Sequence, residues 1–172
     1  VKHAVKEEDL SNLEIMSFAS FGRACEVPEY LVDEFVQRCL TRFAEKKSPP
    51  AIFDDLGSIV RNFAINNKLA VITTNSSQNV HAFLAEHGLD QCIHAVYGVD
   101  TPGSKAQKIA IARNQFSADT KRESVFMIGD SLSDISAAKE ASVTSVAVTW
   151  GHQSLEHLLR GAPDYVVRFP HD

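Results

Sequence analysis

The sequence predicts an α/β fold, a doubly wound parallel sheet with a small all-helical unit in front of it. Three observations carry this prediction. Short apolar runs recur between stretches of helical periodicity from residue 50 onward, and strands alternating with helices build parallel sheets through right-handed crossovers. Polar residues follow these runs at once, at the strand ends where open α/β sheets bind ligands. Residues 1–48 carry only helical periodicity and part from the rest at Ser48-Pro49-Pro50.

The first unit opens with Glu7, Glu8 and Asp9, which lead a helical stretch carrying Leu10, Leu13 and Met16. Pro28 starts a stronger helix. Val32, Phe35, Val36, Cys39, Leu40 and Phe43 fall on one stripe of it. Lys46-Lys47 close this helix.

After Pro50 the pattern changes. Leu56, Ile59, Val60 and Phe63 form a helical stripe, and residues 69–73 then read as a buried strand ending in Thr74-Asn75-Ser76-Ser77. The next helix has Val80, Phe83, Leu84 and His87 on one face and Gly88 as its stop. Ile93 to Gly98 is a second strand. Lys105 opens a helix with Ile109, Ala112 and Phe116 facing inward. Val125 to Ile128 is a run of four apolar residues, the pattern of a strand buried on both faces. Gly129 ends it with a tight turn. Ala137, Ala138 and Ala141 keep the following helix thin. Residues 144–150 form another strand, Leu155, Leu158 and Leu159 a last helix, and Tyr165-Val166-Val167 an edge strand.

Composition narrows the function. The chain has 172 residues, 44% of them hydrophobic, enough for one core. Its net charge of −5 disfavours nucleic acid and anionic membrane surfaces as partners. No apolar run reaches membrane-spanning length. Cys25, Cys39 and Cys92 are odd in number and scattered, as expected of reduced thiols in a cytoplasmic protein. The seven histidines show no metal-ligand spacing; His81 and His87 share a helix and read as surface or half-buried residues. Oligomeric state is not legible here.

Three successive strand ends present Thr74-Asn75, then Lys105, then Asp130 with Asp134. In a parallel sheet these ends lie on one edge, so the groups can converge. A hydroxyl with backbone amides, a lysine and two carboxylates suit a phosphate bound beside a hard cation such as Mg2+. Each part also has a plainer role. Thr74, Asn75, Ser76 or Ser77 can cap the helix that begins there. Asp130 can cap its helix and Asp134 sit in the first turn, where acids are favoured. A lysine in a first turn opposes the helix dipole and calls for an anionic partner, although a solvated surface lysine is as good a reading. The conjunction in this order is more specific than any part.

The chain resembles the haloacid dehalogenase superfamily of phosphatases, in the branch with a small helical cap, close to the phosphoglycolate phosphatases. Thr74-Asn75 is similar to the family's second motif, with Thr73 the other candidate hydroxyl. Gly103-Ser104-Lys105 is similar to the third, and Gly129-Asp130-Ser131-Leu132-Ser133-Asp134 to the fourth, which binds the metal. Val148-Thr149-Trp150-Gly151 and Pro163-Asp164-Tyr165 also look like this branch. The resemblance implies a Rossmann-like core over 49–172 and a remnant of a helical cap over 1–48. It further implies Mg2+ held by Asp130 and Asp134, a phosphoryl group held by Thr74, Asn75 and Lys105, and a small phosphorylated metabolite such as phosphoglycolate. Thr74 and Lys105 would act in the chemistry.

One family feature is not found. The first motif, Asp-x-Asp-x-Thr on the opening strand, supplies a nucleophilic aspartate that becomes phosphorylated. Phe53-Asp54-Asp55-Leu56 has its flavour, but no apolar strand precedes it and it runs straight into a helix. Asp54 or Asp55 is therefore expected to be an N-cap. In the family the missing strand lies between those at 69–73 and 125–128, so the core is expected to lack its first strand. A chain without that nucleophile is expected to be a poor catalyst. The alternative function is a non-catalytic relative that binds phosphate or a protein partner through the retained groups. A receiver-type phosphoacceptor would have its acids before the hydroxyl and lysine, the reverse of this order. Nucleotide-binding and serine-hydrolase readings lack their glycine motifs.

Overall fold

The computed structural model describes residue 13 and residues 17–45, 50–53, 55–116 and 124–172. The helix expected around Leu10 and Met16 lies outside these residues, as does Asp54. The front unit is a helical hairpin. Helix α1 (Phe18–Ala24) starts at Ser17, whose side chain accepts the Ser20 N–H at 3.0 Å. Helix α2 (Glu29–Ala44) follows Pro28. Val32 on its apolar stripe is buried, while Phe35, Val36, Cys39 and Leu40 are half-buried. The two helices approach closely because Gly22 has no side chain. A Cβ there would lie 2.9 Å from the Phe35 ring.

Helix α3 (Leu56–Asn66) leads into the sheet region. Asp55 holds its N-cap position, but the expected capping bond is not made. The Asp55 backbone is left-handed, φ 62°, rather than in the extended form from which a cap side chain reaches the helix amides. The bond formed instead runs from Ser58 Oγ to the Asp55 carbonyl, at 2.7 Å.

The described strands are all parallel and lie in two sheets. Strand β1 (Ala70–Ile72) pairs with β2 (Ala95–Tyr97). Strand β3 (Phe126–Gly129) pairs with β4 (Thr144–Val148), which pairs with β5 (Tyr165–Val167). Helix α4 (Ser77–Glu86) connects β1 to β2, helix α5 (Lys105–Gln115) connects β2 to β3, and helix α6 (Leu132–Glu140) connects β3 to β4. Helix α7 (Leu155–Arg160) precedes β5. The doubly wound α/β expectation therefore holds, with the strands expected at 69–73, 93–98 and 144–150 two or three residues shorter than their apolar runs suggested.

One helical layer supports both sheets. Ala106 and Ile109 of α5 form a buried cluster with Ala137 and Ala138 of α6 and with Val143. Ile72 from one sheet and Met127 from the other both pack against it. Strand β3 differs from its expected burial on both faces. Met127 faces this cluster, whereas Phe126 and Ile128 are 54% and 59% exposed. Successive strand residues point to opposite faces, and the helices described here cover β3 on one face only. A second cluster joins Ile135, Ala147 and Leu158 behind β4. Ile135 is 1% exposed, so Ile135→Val should lower stability by about 0.5–1.5 kcal/mol, read from the denaturation midpoint in urea.

Candidate active site

The carboxyl end of β3 is built around two close approaches. A Cβ on Gly129 would lie 2.3 Å from the Asp134 Cβ, so only glycine lets the chain fold back on its own helix there. Ser131, not Asp130, is the N-cap of α6. Asp134 in the first turn accepts the Ser131 N–H (3.2 Å) and hydroxyl (2.6 Å) through Oδ2. Its capping role and its place in a site are thus compatible, because its other oxygen faces elsewhere.

That oxygen meets the lysine. Lys105 is the first residue of α5, behind a capping box formed by Ser104 and Gln107. Its Nζ donates to Asp134 Oδ1 at 2.6 Å and to Ser133 Oγ at 3.0 Å. Both side chains are largely withdrawn from water, 22% and 9% exposed. The anionic partner that a first-turn lysine calls for is Asp134.

Asp130 is gripped from a third element. The turn after β4, Gly151-His152-Gln153, runs against it. The His152 N–H donates to Asp130 Oδ2 at 2.7 Å, and the Gln153 N–H donates to the Asp130 carbonyl at 3.3 Å. A Cβ on Gly151 would lie 2.2 Å from the Asp130 Cβ. Of these three, Gly151 stands in the family-like run Val148-Thr149-Trp150-Gly151, whereas no sequence motif marked His152 or Gln153. The signal that points to them is a glycine and a polar pair directly after a strand whose neighbour ends in Asp130.

The turn after β1 holds the other expected residues. Thr73 Oγ1 accepts the Asn75 N–H at 3.1 Å. Asn75 Oδ1 accepts the Ser76 N–H at 2.8 Å and the Asn79 side-chain amide at 3.0 Å. Ser76 is the N-cap of α4. The side chain of Asn75 is thus engaged in shaping the turn, and Thr74 sits between these anchored residues. A second loop, after β2, braces this turn. The Val99 N–H donates to the Asn75 carbonyl (2.8 Å), and the Ser77 N–H to Asp100 Oδ1 (2.8 Å). Lys108, 6% exposed and one turn beyond Lys105, donates from Nζ to the Gly98 carbonyl at 2.7 Å.

The Ser77 backbone N–H, followed by its side chain, holds the Asp100 carboxyl below the usual aspartate value. A carboxyl depressed on folding stabilises the fold above its unfolded pKa, and that share is lost as pH falls through the folded pKa. Asp100→Asn should therefore flatten the acid limb of stability against pH, measured by urea unfolding from neutral pH down through the carboxylate range. The effect is small, because Asp100 is exposed.

The structure thus joins Lys105 to Asp134, keeps Asp130 four residues earlier at the end of β3, and sets Thr74 and Asn75 on the turn after β1. Two carboxylates against one ammonium leave a deficit of positive charge. The Ser131 hydroxyl donates to Asp134 Oδ2, and the Ser133 hydroxyl lies against Ser131 Oγ and the Lys105 ammonium. A carboxylate has about four lone-pair positions, so Asp130 can accept the His152 N–H and still bind a hard cation. The residues fit Mg2+ on this count. Among the described residues no group of three His, Cys, Asp or Glu side chains is arranged to hold a metal, so these carboxylates could form only part of a coordination shell. Mg2+ usually takes one or two carboxylates and completes its shell with water and phosphate oxygens. No described helix is long and apolar enough to cross a membrane.

Residues 4–148 match the model of the haloacid dehalogenase-like hydrolases. A phosphoglycolate phosphatase from Synechococcus elongatus is 25% identical over 174 residues, covering 98% of this chain and 79% of that protein. A phosphoglycolate phosphatase from Vibrio cholerae is 35% identical over 103 residues, 57% of this chain and 44% of that protein. In fold, the chain is similar to a haloacid dehalogenase-like family protein of Streptococcus pneumoniae, with a TM-score of 0.83 at 21% identity. That match covers 99% of this chain and 80% of the other.

Proposed function

The chain belongs to the haloacid dehalogenase-like hydrolase family, and on that premise we propose that it carries most of the active site of a Mg2+-dependent phosphatase for a small phosphorylated metabolite. Phosphoglycolate is the specific candidate, supported by the names of the Synechococcus and Vibrio relatives. The observation that carries the reading is the contact of Lys105 with Asp134, which unites the lysine of one strand end with the carboxylate pair of another.

In this reading each residue has a defined task. Asp130 holds the cation, with Asp134 beside it directly or through a water. The ion, when bound, draws charge from the phosphoryl oxygens and fixes their orientation. Lys105 places its ammonium against the phosphate while pairing with Asp134. The Thr74 hydroxyl and the amides of the turn after β1 hold a second phosphoryl oxygen, and Asn75 keeps that turn in shape. A cytoplasmic setting, where the thiols of Cys25, Cys39 and Cys92 would stay reduced, belongs to the same proposal.

The attacking carboxylate, which would form an aspartyl-phosphate, is proposed to come from a further strand seated between β1 and β3. Among the described residues β1 pairs only with β2, and β3 only with β4. Unpaired edges on two inner strands are costly unless another strand meets them. Residues 1–48 are then the remaining part of a helical cap, and 49–172 the core without that strand.

The test is hydrolysis of para-nitrophenyl phosphate by the 172-residue chain, with and without Mg2+. The expected result is Mg2+ binding without appreciable turnover. Metal-dependent turnover would place a nucleophile within these residues and overturn the added-strand assignment. Absence of Mg2+ binding would overturn the metal assignment.

A further inference from the structure

Gln153 is 1% exposed and ranks among the largest fully buried side chains. A buried amide is costly unless each end finds a partner. Both ends do, and the partners are far apart in sequence. Oε1 accepts the Leu132 N–H, in the first turn of α6, at 2.6 Å. Nε2 donates to the Leu13 carbonyl, 140 residues away, at 2.8 Å. The backbone N–H of the same residue donates to the Asp130 carbonyl. Leu13 lies on the stretch that leads into the α1–α2 hairpin. One side chain therefore ties Leu13, four residues before the N-cap of α1, to the start of α6, whose first turn carries Asp134 and which follows Asp130.

We propose that Gln153 is a positioning residue that couples the helical unit to the Asp130–Asp134 loop. The geometry permits little slack. Gly151 and His152 already fix Asp130 against the same turn, so a displacement of Gln153 must move Asp130 with it. A shift of the chain at Leu13 is transmitted through Nε2 to that turn. By reciprocity, a cation settling on Asp130 stiffens the helical unit. The Mg2+ arm of this inference rests on the metal assignment above; the coupling itself does not.

Amide hydrogen exchange on the whole chain tests both arms. Without metal, Gln153→Met should speed exchange at residues 17–24 and at residues 130–134 together, each by about threefold or more, the scale of one lost hydrogen bond. Faster exchange at only one of the two segments would overturn the coupling. With MgCl2 added, the wild-type chain should slow exchange at residues 17–24, a response that a merely local packing role for Gln153 would not produce. That response should vanish in Gln153→Met even where Mg2+ still binds, as read by calorimetry. Its persistence in the variant would overturn the proposal, and so would its absence in a wild-type chain that binds Mg2+. A wild-type chain that binds no Mg2+, with both segments loosened in the metal-free variant, would leave the coupling standing and remove the metal assignment. Gln153→Glu is the second variant should Gln153→Met not fold. It keeps the length and the acceptor for Leu132 and, as a carboxylate, offers Leu13 no hydrogen, while adding a buried negative charge.

Discussion

Asp130→Ala is expected to abolish Mg2+ binding, measured by isothermal titration of MgCl2 into the 172-residue chain. Asp134 has less to offer a cation, since Lys105 occupies one of its oxygens and Ser131 the other. Among the described residues the Asp130 carboxylate accepts only the His152 N–H, on Oδ2, so it is the carboxylate with capacity to spare. Unchanged affinity in Asp130→Ala would remove this pair as the metal site. Gly151→Ala probes the same carboxylate from outside. Its methyl group would fall on the Asp130 Cβ and carboxylate, at 2.2–2.6 Å, and no flexible tip is there to yield. Either the turn after β4 retreats, taking the His152 N–H with it, or Asp130 does. Both displace the oxygen that receives the cation, and the expected loss of Mg2+ affinity is about 10–100-fold. Recovery of native affinity in Gly151→Ala would show that Asp130 does not depend on this turn.

The parallel α/β architecture was legible because its signals are local and repeated. Apolar runs of strand length, helical stripes such as Val32-Phe35-Val36 and stops such as Gly88, with its φ of 62°, each specify their own element. The lysine was legible for a related reason, since a charge opposing a helix dipole needs an explanation and Asp134 provides one. The grip on Asp130 was not. Gly151, His152 and Gln153 act through backbone groups and close approach, and neither leaves a mark in residue type beyond a glycine after a strand. Two local expectations went astray because burial and capping are settled by tertiary packing. Phe126 and Ile128 look like core residues in a run of four, yet whether a strand face is covered depends on elements far away in sequence. Asp55 has the right chemistry for a cap and stands at the right place, but its left-handed backbone does not make the bond.

The lysine prediction sets stability against catalysis. Lys105→Met keeps most of the side-chain volume and removes the ammonium, leaving Asp134, 6% exposed, without its charged partner. A buried carboxylate that loses its ion-pair partner costs a fold about 3–5 kcal/mol in well-buried cases. Here the Ser131 N–H and hydroxyl still hold Oδ2, so the loss should fall towards or below the lower end. Asp134→Asn exchanges the carboxylate for a neutral acceptor that Lys105 can still reach, and should cost less. The double variant should be more stable than the sum of the single losses predicts, since the charge left unpaired by one change is removed by the other. Urea unfolding of the four proteins measures this. Additive losses would show that the 2.6 Å contact contributes little. Catalysis should respond in a different pattern. In a protein that supplies the nucleophile as well, Lys105→Met should lower kcat on a phosphomonoester by about 10²–10³-fold, the scale of one lost electrostatic contact to the reacting group. The double variant should recover none of that activity, because an ammonium absent from the phosphate is not replaced by neutralising Asp134. Recovery of activity alongside stability would mean that Lys105 serves only to pair Asp134, and the phosphate would then need another cation.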